Sequence, residues 1–313
     1  MEEATTLAKA TSGATGGLPF PIVDAHQHFW DPGRHYYPWL NDEPPIPFRY
    51  GDYRPIRRRY LPADYLTDAG PFRVEKSVYV EAEWDPRDPL GEMDYIETLR
   101  REHGLPSVAV AQAWLDRDDA PLLLARHAAR PFVRSVRHKP RANETPNEGS
   151  PGGMTDRAWR EGFAHLAREG LRFDLQTPWW HLPEAARLAA DFPGTTIVLN
   201  HAGLPADRTP AGIDGWKSAM TQLAACPNVA VKISGLGQRG QPWTVDANRD
   251  IVRGVVDAFG VTRCMFASNF PVDSLCGSFA TIFGGFRDIV ADFEPDEQRA
   301  LFRDNAIRVY DIR

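Results

Sequence analysis

The chain of 313 residues carries 36 Lys and Arg against 42 Asp and Glu, a net charge of −6, with 42% apolar and 25% charged residues. This is the composition of an ordinary soluble globular protein, and the acidic balance without a long basic run argues against nucleic acid or an anionic membrane surface as partner. Three cysteines, Cys226, Cys264 and Cys276, form neither an even framework nor a CxxC pair, so no disulfide or thiolate metal site is expected and a reducing cytoplasm is the expected compartment.

Taken in chain order, residues 1–18 read as a disordered Gly/Thr/Ala-rich leader that lacks the basic start and apolar stretch of a signal peptide. Residues 19–313 read as one domain. Short β-branched runs bounded by Pro, Gly or Asn fall at 20–26, 73–80, 107–113, 131–137, 171–176, 195–200, 228–233 and 263–268. Helical stretches lie between them at 61–69, 91–103, 119–129, 155–169, 183–192, 212–225, 245–259 and 278–291, with a last one near 296–310. This alternation predicts a single (β/α)8 TIM barrel with long rim loops. An open doubly wound sheet is disfavoured, because the first strand runs into DAHQHFWDPG rather than a Gly-rich phosphate turn. Insertions at 29–60 and 138–154 would sit at the C-terminal rim, where loops of that length build or cover a site. No stretch is long and apolar enough to span a bilayer.

His26 and His28 close the first run with one residue between them, and strand alternation points both imidazoles and Asp24 to one face. Facing inward, the two rings make half of a divalent-metal site, with zinc the expected ion. Taken alone, an HxH pair is as readily two surface histidines. His201 ends the sixth run (TTIVLNHAG) and is the third nitrogen; the plainer reading is a buried, hydrogen-bonded core histidine. His181, after Trp179 and Trp180, reads as a further ligand, a substrate contact or helix-entry packing.

The motifs VDAHQHFWD, SVRH, VLNHAG and MFASNFPVD resemble the amidohydrolase superfamily, specifically its branch of sugar-lactone and pyrone-carboxylate lactonases, from about residue 20 to the C-terminus. The resemblance implies that His26 and His28 sit beside a metal, or where a metal would be, and that Asp24 brace the site. It gives Arg137 and His201 contacts to substrate or metal. The family's eighth-strand aspartate, which takes the proton of water, is matched here by Asn269, and an amide cannot act as a general base.

Opening a ring ester requires a polarised carbonyl, a deprotonated water and fixed positive charge or donors at the developing oxyanion. The expected base is Asp273, with Glu81 or Glu83 of the second run and His201 or His181 as alternatives; Asp273 could equally cap the following helix. Arg137 would hold the anion, or simply pair with an acid. Gln176 and Asp174 share a face and suit sugar-like hydroxyls, Ser234 offers a hydroxyl and Gly235 an amide. Tyr36, Tyr37, Trp39, Trp179, Trp180 and Trp243 supply rings that stack over a pocket or pin the loops. The expected function is therefore hydrolysis of a small sugar-acid or carboxylated lactone, with a divalent metal, zinc first, or without one. Two alternatives remain open at this point. One is a non-oxidative decarboxylase of an aromatic or unsaturated acid, and the other a ligand-binding barrel without a base. The expected partner is a small-molecule substrate, and an exposed aromatic loop would suit a homodimer.

Overall fold

The computed structural model describes residues 17–313, so the expected leader falls almost wholly outside the described residues. Eight parallel strands pair in sequence order: β1 (Ile22–Gln27), β2 (Val74–Val80), β3 (Val108–Gln112), β4 (Val133–Arg137), β5 (Arg172–Leu175), β6 (Ile197–Leu199), β7 (Val229–Ile233) and β8 (Cys264–Phe266). The ring closes at its C-terminal end, where His28 N–H donates to the Phe270 carbonyl and Asn269 N–H to that of His26, both at 2.8 Å. The protein is a (β/α)8 TIM barrel.

Helices α1 (Pro62–Ala69), α2 (Gly91–His103), α3 (Ala120–Ala128), α4 (Arg157–Phe163), α5 (Leu182–Asp191), α6 (Pro210–Ala224), α7 (Val245–Phe259) and α8 (Phe279–Ile289) surround it. Their termini follow local chemistry. Thr209, Thr244 and Ser278 each accept the N–H three residues on, at the starts of α6, α7 and α8, and Gly104 ends α2 in the left-handed conformation. The expected single helix at 155–169 instead breaks after Phe163 and resumes as Leu166–Glu169. Gly162 weakens it there, and a side chain at that position would lie 1.9 Å from the Leu115 carbonyl oxygen.

The inner core is built from Val23, Ala25, Val78, Val80, Val108, Val110, Val198, Ala230, Met265 and Ala267. The last helix, α9 (Asn305–Tyr310), adds Ala306, Val309 and Tyr310 to this cluster. Asn305 donates to the carbonyls of Val261 and Cys264 and Arg172 donates to that of Val309, which docks α9 on the strands' N-terminal ends. The chemistry is left to the other end. Above this plug, Lys232 and Asp174 form a fully buried ion pair at 2.6 Å. Ser135, Tyr310 and Asn200 also donate to Asp174. All three cysteines are free thiols.

Candidate active site

His26 of β1 and His28, the residue after its end, reach the barrel mouth through a bulge. Asp24 pairs with Ser77 and Gln27 with Tyr79, so three steps on β1 face two on β2. One extra residue breaks the alternation. Asp24 therefore does not share the histidines' face, as simple alternation had it. Its carboxylate, fully buried, accepts from Tyr65 of α1 and from the N–H and hydroxyl of Ser268, tying β1 to β8. His26 and His28 converge, with ring centroids 5.0 Å apart.

His201 joins them, its ring centroid 4.6 Å from that of His26. It starts a tight turn in which His201, Ala202 and Leu204 all have positive φ (55°, 51° and 56°) although none is glycine. Such conformations cost about 1–3 kcal/mol each and persist only where the surroundings impose them. Trp216 donates to the Ala202 carbonyl, and His201 Nδ1 lies 2.9 Å from Ser234 Oγ. Gly235, at φ 63°, is required beside it, since a Cβ there would lie 2.6 Å from His201 Nδ1.

All three imidazoles are neutral. Burial pushes His26 and His201 well below the usual histidine range, helped by the charges of Lys232 at His26 and of Arg49 and Arg137 at His201. Burial, with Arg137, takes His28 down to about 3.

Arg137 ends β4 and is 3% exposed. Its Nε donates to Glu81 at 2.5 Å, one terminal nitrogen to the Glu81 carbonyl and the other to Gln176 at 2.9 Å. The guanidinium is thereby fixed, and Glu81, the expected alternative base, is engaged. Glu83 pairs with Lys139, which holds its carboxyl below the usual range. These residues line a cavity of about 310 Å³ with His28, His201, Asn269, Trp30, Trp39 and Phe48. Trp39 is pinned by its indole N–H to the Ala82 carbonyl.

Asn269, at φ 55°, donates its amide to Asp273 at 2.6 Å, and its Oδ1 faces His28 Nε2 at 3.3 Å. His28 Nδ1–H donates to the Val80 carbonyl at 2.8 Å, so Nε2 carries the lone pair. Two acceptors thus face each other, an arrangement that suits a donor or cation between them. Asp273 is buried behind this pair, bonded to Tyr50 and the Gly235 N–H, and burial raises its carboxyl to about 6. It does not line the cavity, so it is not placed to take the proton of water directly, as the sequence suggested; what it holds is the Asn269 amide.

Two other expected site residues belong elsewhere. His181 accepts from the Asn143 N–H through Nε2 and pairs through Nδ1 with Glu184 of α5, which in turn accepts from the Gly152 N–H, so the pair anchors the 138–154 loop. Trp179 packs against Gly215 of α6, where a Cβ would lie 2.5 Å from its ring. Ser234 acts through His201 and lies outside the cavity lining. Of the remaining rim aromatics, Tyr37 and Trp243 are buried in packing and Tyr36 bonds Asp42 at the surface. Sequence reading missed Arg49, which lines the cavity from the first rim loop and stands 4.0 Å from Asp273. A lone cation in the aromatic stretch PFRYGDY was its only signal.

Both nitrogens of His26 are buried without a hydrogen-bond partner. His28 and His201 each have one nitrogen held by an outer partner, as metal-ligating histidines do. This donor chemistry fits a divalent ion such as zinc, although no carboxylate completes it. Among the described residues, no group of three or more His, Cys, Asp or Glu is already drawn together as a metal site.

The family model for amidohydrolases matches residues 23–312. The chain belongs to the amidohydrolase family. This amidohydrolase is 40% identical over 296 residues to "Uncharacterized protein y4mH" of Sinorhizobium fredii, covering 93% of this chain and 98% of that protein. It is 29% identical over 304 residues to the L-fucono-1,5-lactonase of Burkholderia ambifaria, covering 93% and 95% of the two chains. A crystal structure of an amidohydrolase from Burkholderia multivorans with bound zinc superposes with a TM-score of 0.74 at 24% identity, covering 94% of this chain and all of that one. No helix among the described residues is long and apolar enough to cross a membrane.

Proposed function

We propose that this amidohydrolase hydrolyses a small carboxylated lactone whose ring carbonyl lies over His26, His28 and His201. The observation that carries this reading is that His28 and His201 line one cavity with the immobilised Arg137 guanidinium, while the buried His26 ring packs against both of theirs. The relationship to an L-fucono-1,5-lactonase supports the choice of a ring ester.

Water adds to the carbonyl carbon, the acyl C–O bond breaks, and the proton lost by water ends on the ring oxygen that leaves as a hydroxyl. His201 is the group placed to move that proton. In the tautomer whose Nδ1–H donates to Ser234 Oγ, Nε2 carries a free lone pair on a residue lining the cavity. Asn269 and His28 position the water through their facing oxygen and nitrogen. Arg137 supplies fixed positive charge for the oxyanion or for the substrate's carboxylate, and its bonds to Glu81 and Gln176 keep it from reorganising during the reaction. Were His26, His28 and His201 instead to hold a zinc-like ion, their lone pairs would be its ligands, and the ion would supply the polarisation of carbonyl and water in place of the His201 base.

A pH-indicator assay over a panel of sugar and carboxylated lactones tests the proposal. Turnover by the purified protein, falling about 100-fold or more in His28→Ala, is expected. Release of carbon dioxide from ring acids with no lactone opened would contradict it.

A further inference from the structure

A second cavity, of about 440 Å³, opens beside the first, between the loops that follow β6 and β7. Arg49 lines both. The second cavity carries three arginines, Arg49, Arg208 and Arg239, together with Tyr50 and Trp180, and no acidic side chain lines it.

Arg208 is the telling residue. One terminal nitrogen donates to the Leu236 carbonyl and to Asn248, which holds the side chain in place. Its Nε and its other terminal nitrogen are buried and have no hydrogen-bond partner. A buried charged donor without a partner in the chain is costly, by more than a neutral one, so water or a ligand is expected to meet it. Arg239 makes no ion pair or hydrogen bond among the described residues and is exposed at the same cavity. Arg49 stacks over Tyr50 at 4.6 Å and stands 4.0 Å from the buried Asp273, leaving its outer side toward both cavities. Planar guanidinium groups around an apolar, aromatic wall are the recognition chemistry of a carboxylate or a similar oxyanion.

We propose that the second cavity is an anion subsite centred on Arg208, which takes a carboxylate-type group. Because Arg49 borders both cavities, the anion is the far end of a ligand whose near end lies over the histidines. This identification of the ligand rests on the lactonase reading, whereas the subsite itself does not.

Calorimetric titration separates the two, because it needs no turnover. The probes are α,ω-dicarboxylates from succinate to suberate, monocarboxylates of matched length, and acetate, against the full chain, Arg208→Gln and Arg239→Gln at low salt. One dicarboxylate length is expected to bind about tenfold or more tighter than its matched monocarboxylate. Arg208→Gln should remove that gain and leave the monocarboxylate within about twofold, and Arg239→Gln should weaken the dicarboxylate by a smaller factor. Acetate binding that is lost in Arg208→Gln, without a dicarboxylate gain, would support the subsite and assign its anion to a separate ligand. Equal weakening of both probe classes, or no gain at any length with no acetate binding, would overturn the proposal. If Arg208→Gln fails to melt cooperatively, the exposed Arg239→Gln alone decides: a reduced gain for the dicarboxylate with the monocarboxylate unchanged supports the subsite, and an undiminished gain overturns it.

Discussion

At the scale of single residues, Asn269 is where this site departs from the family pattern, and the structure gives the departure a physical meaning. Its amide N–H is 2.6 Å from the Asp273 carboxylate. An aspartate at position 269 would put two carboxylates in contact, and the pair would have to share a proton. Asn269→Asp is therefore expected to raise activity little or not at all. It should destabilise the fold by about 2 kcal/mol at pH 8 and by less at pH 5, as read by urea unfolding. A large gain in rate would mean instead that the position had merely lost its base.

Asp273 carries a pH dependence of its own. Its folded carboxyl titrates near 6 against an ordinary 3.8, so the folded state holds a proton that the unfolded chain has lost between those values. Its stabilising contribution is full below about pH 4 and declines as pH rises to about 6. Asp273→Asn should remove that decline from the unfolding free energy. Ionised Asp273 accepts from Asn269 and so aims the Asn269 oxygen at His28; kcat/KM should accordingly fall below about pH 6 and the limb should vanish in Asp273→Asn.

At the scale of elements, strands and helices were legible because β-branched runs and Pro, Gly and hydroxyl caps act locally. The local irregularities were not. The bulge that turns His26 inward and sends Asp24 to Tyr65 depends on pairing with β2 and closure on β8, which no periodicity in VDAHQH records. The His201 turn is similar: its positive φ values are imposed by Trp216 and Ser234, more than ten residues away in the chain. Long-range partners also decided the fate of His181, read as a site residue and found anchoring a loop. Gly235 offers the test at this scale. Gly235→Ala would force a side chain against the His201 ring and strain a left-handed position, so kcat/KM should drop about 100-fold while the protein still folds, with melting lowered by several degrees. Unchanged kinetics would show that His201 needs no such positioning.

At the scale of the whole molecule, the barrel divides its labour along its axis. The C-terminal helix and the apolar inner layer seal one end, the Lys232–Asp174 pair fills the middle, and the imidazoles crown the other. The barrel could be read from eight alternating units because hydrophobic periodicity repeats in every unit. The buried pair could not, since a lysine and an aspartate in separate strands carry no sign of meeting. Lys232→Met should cost about 3–5 kcal/mol in urea unfolding by leaving Asp174 buried without its cation, and adding Asp174→Asn should recover most of that loss.

On the proposed reading, one acyl group is received jointly by side chains from the ends of β1, β4 and β6. A crystal structure with a ring-opened hydroxy acid bound tests it most directly. The carboxylate is expected within hydrogen-bond distance of at least two of His26, His28 and His201, with Arg137 facing it. A ligand seated away from these rings, or rings turned from one another around it, would contradict it.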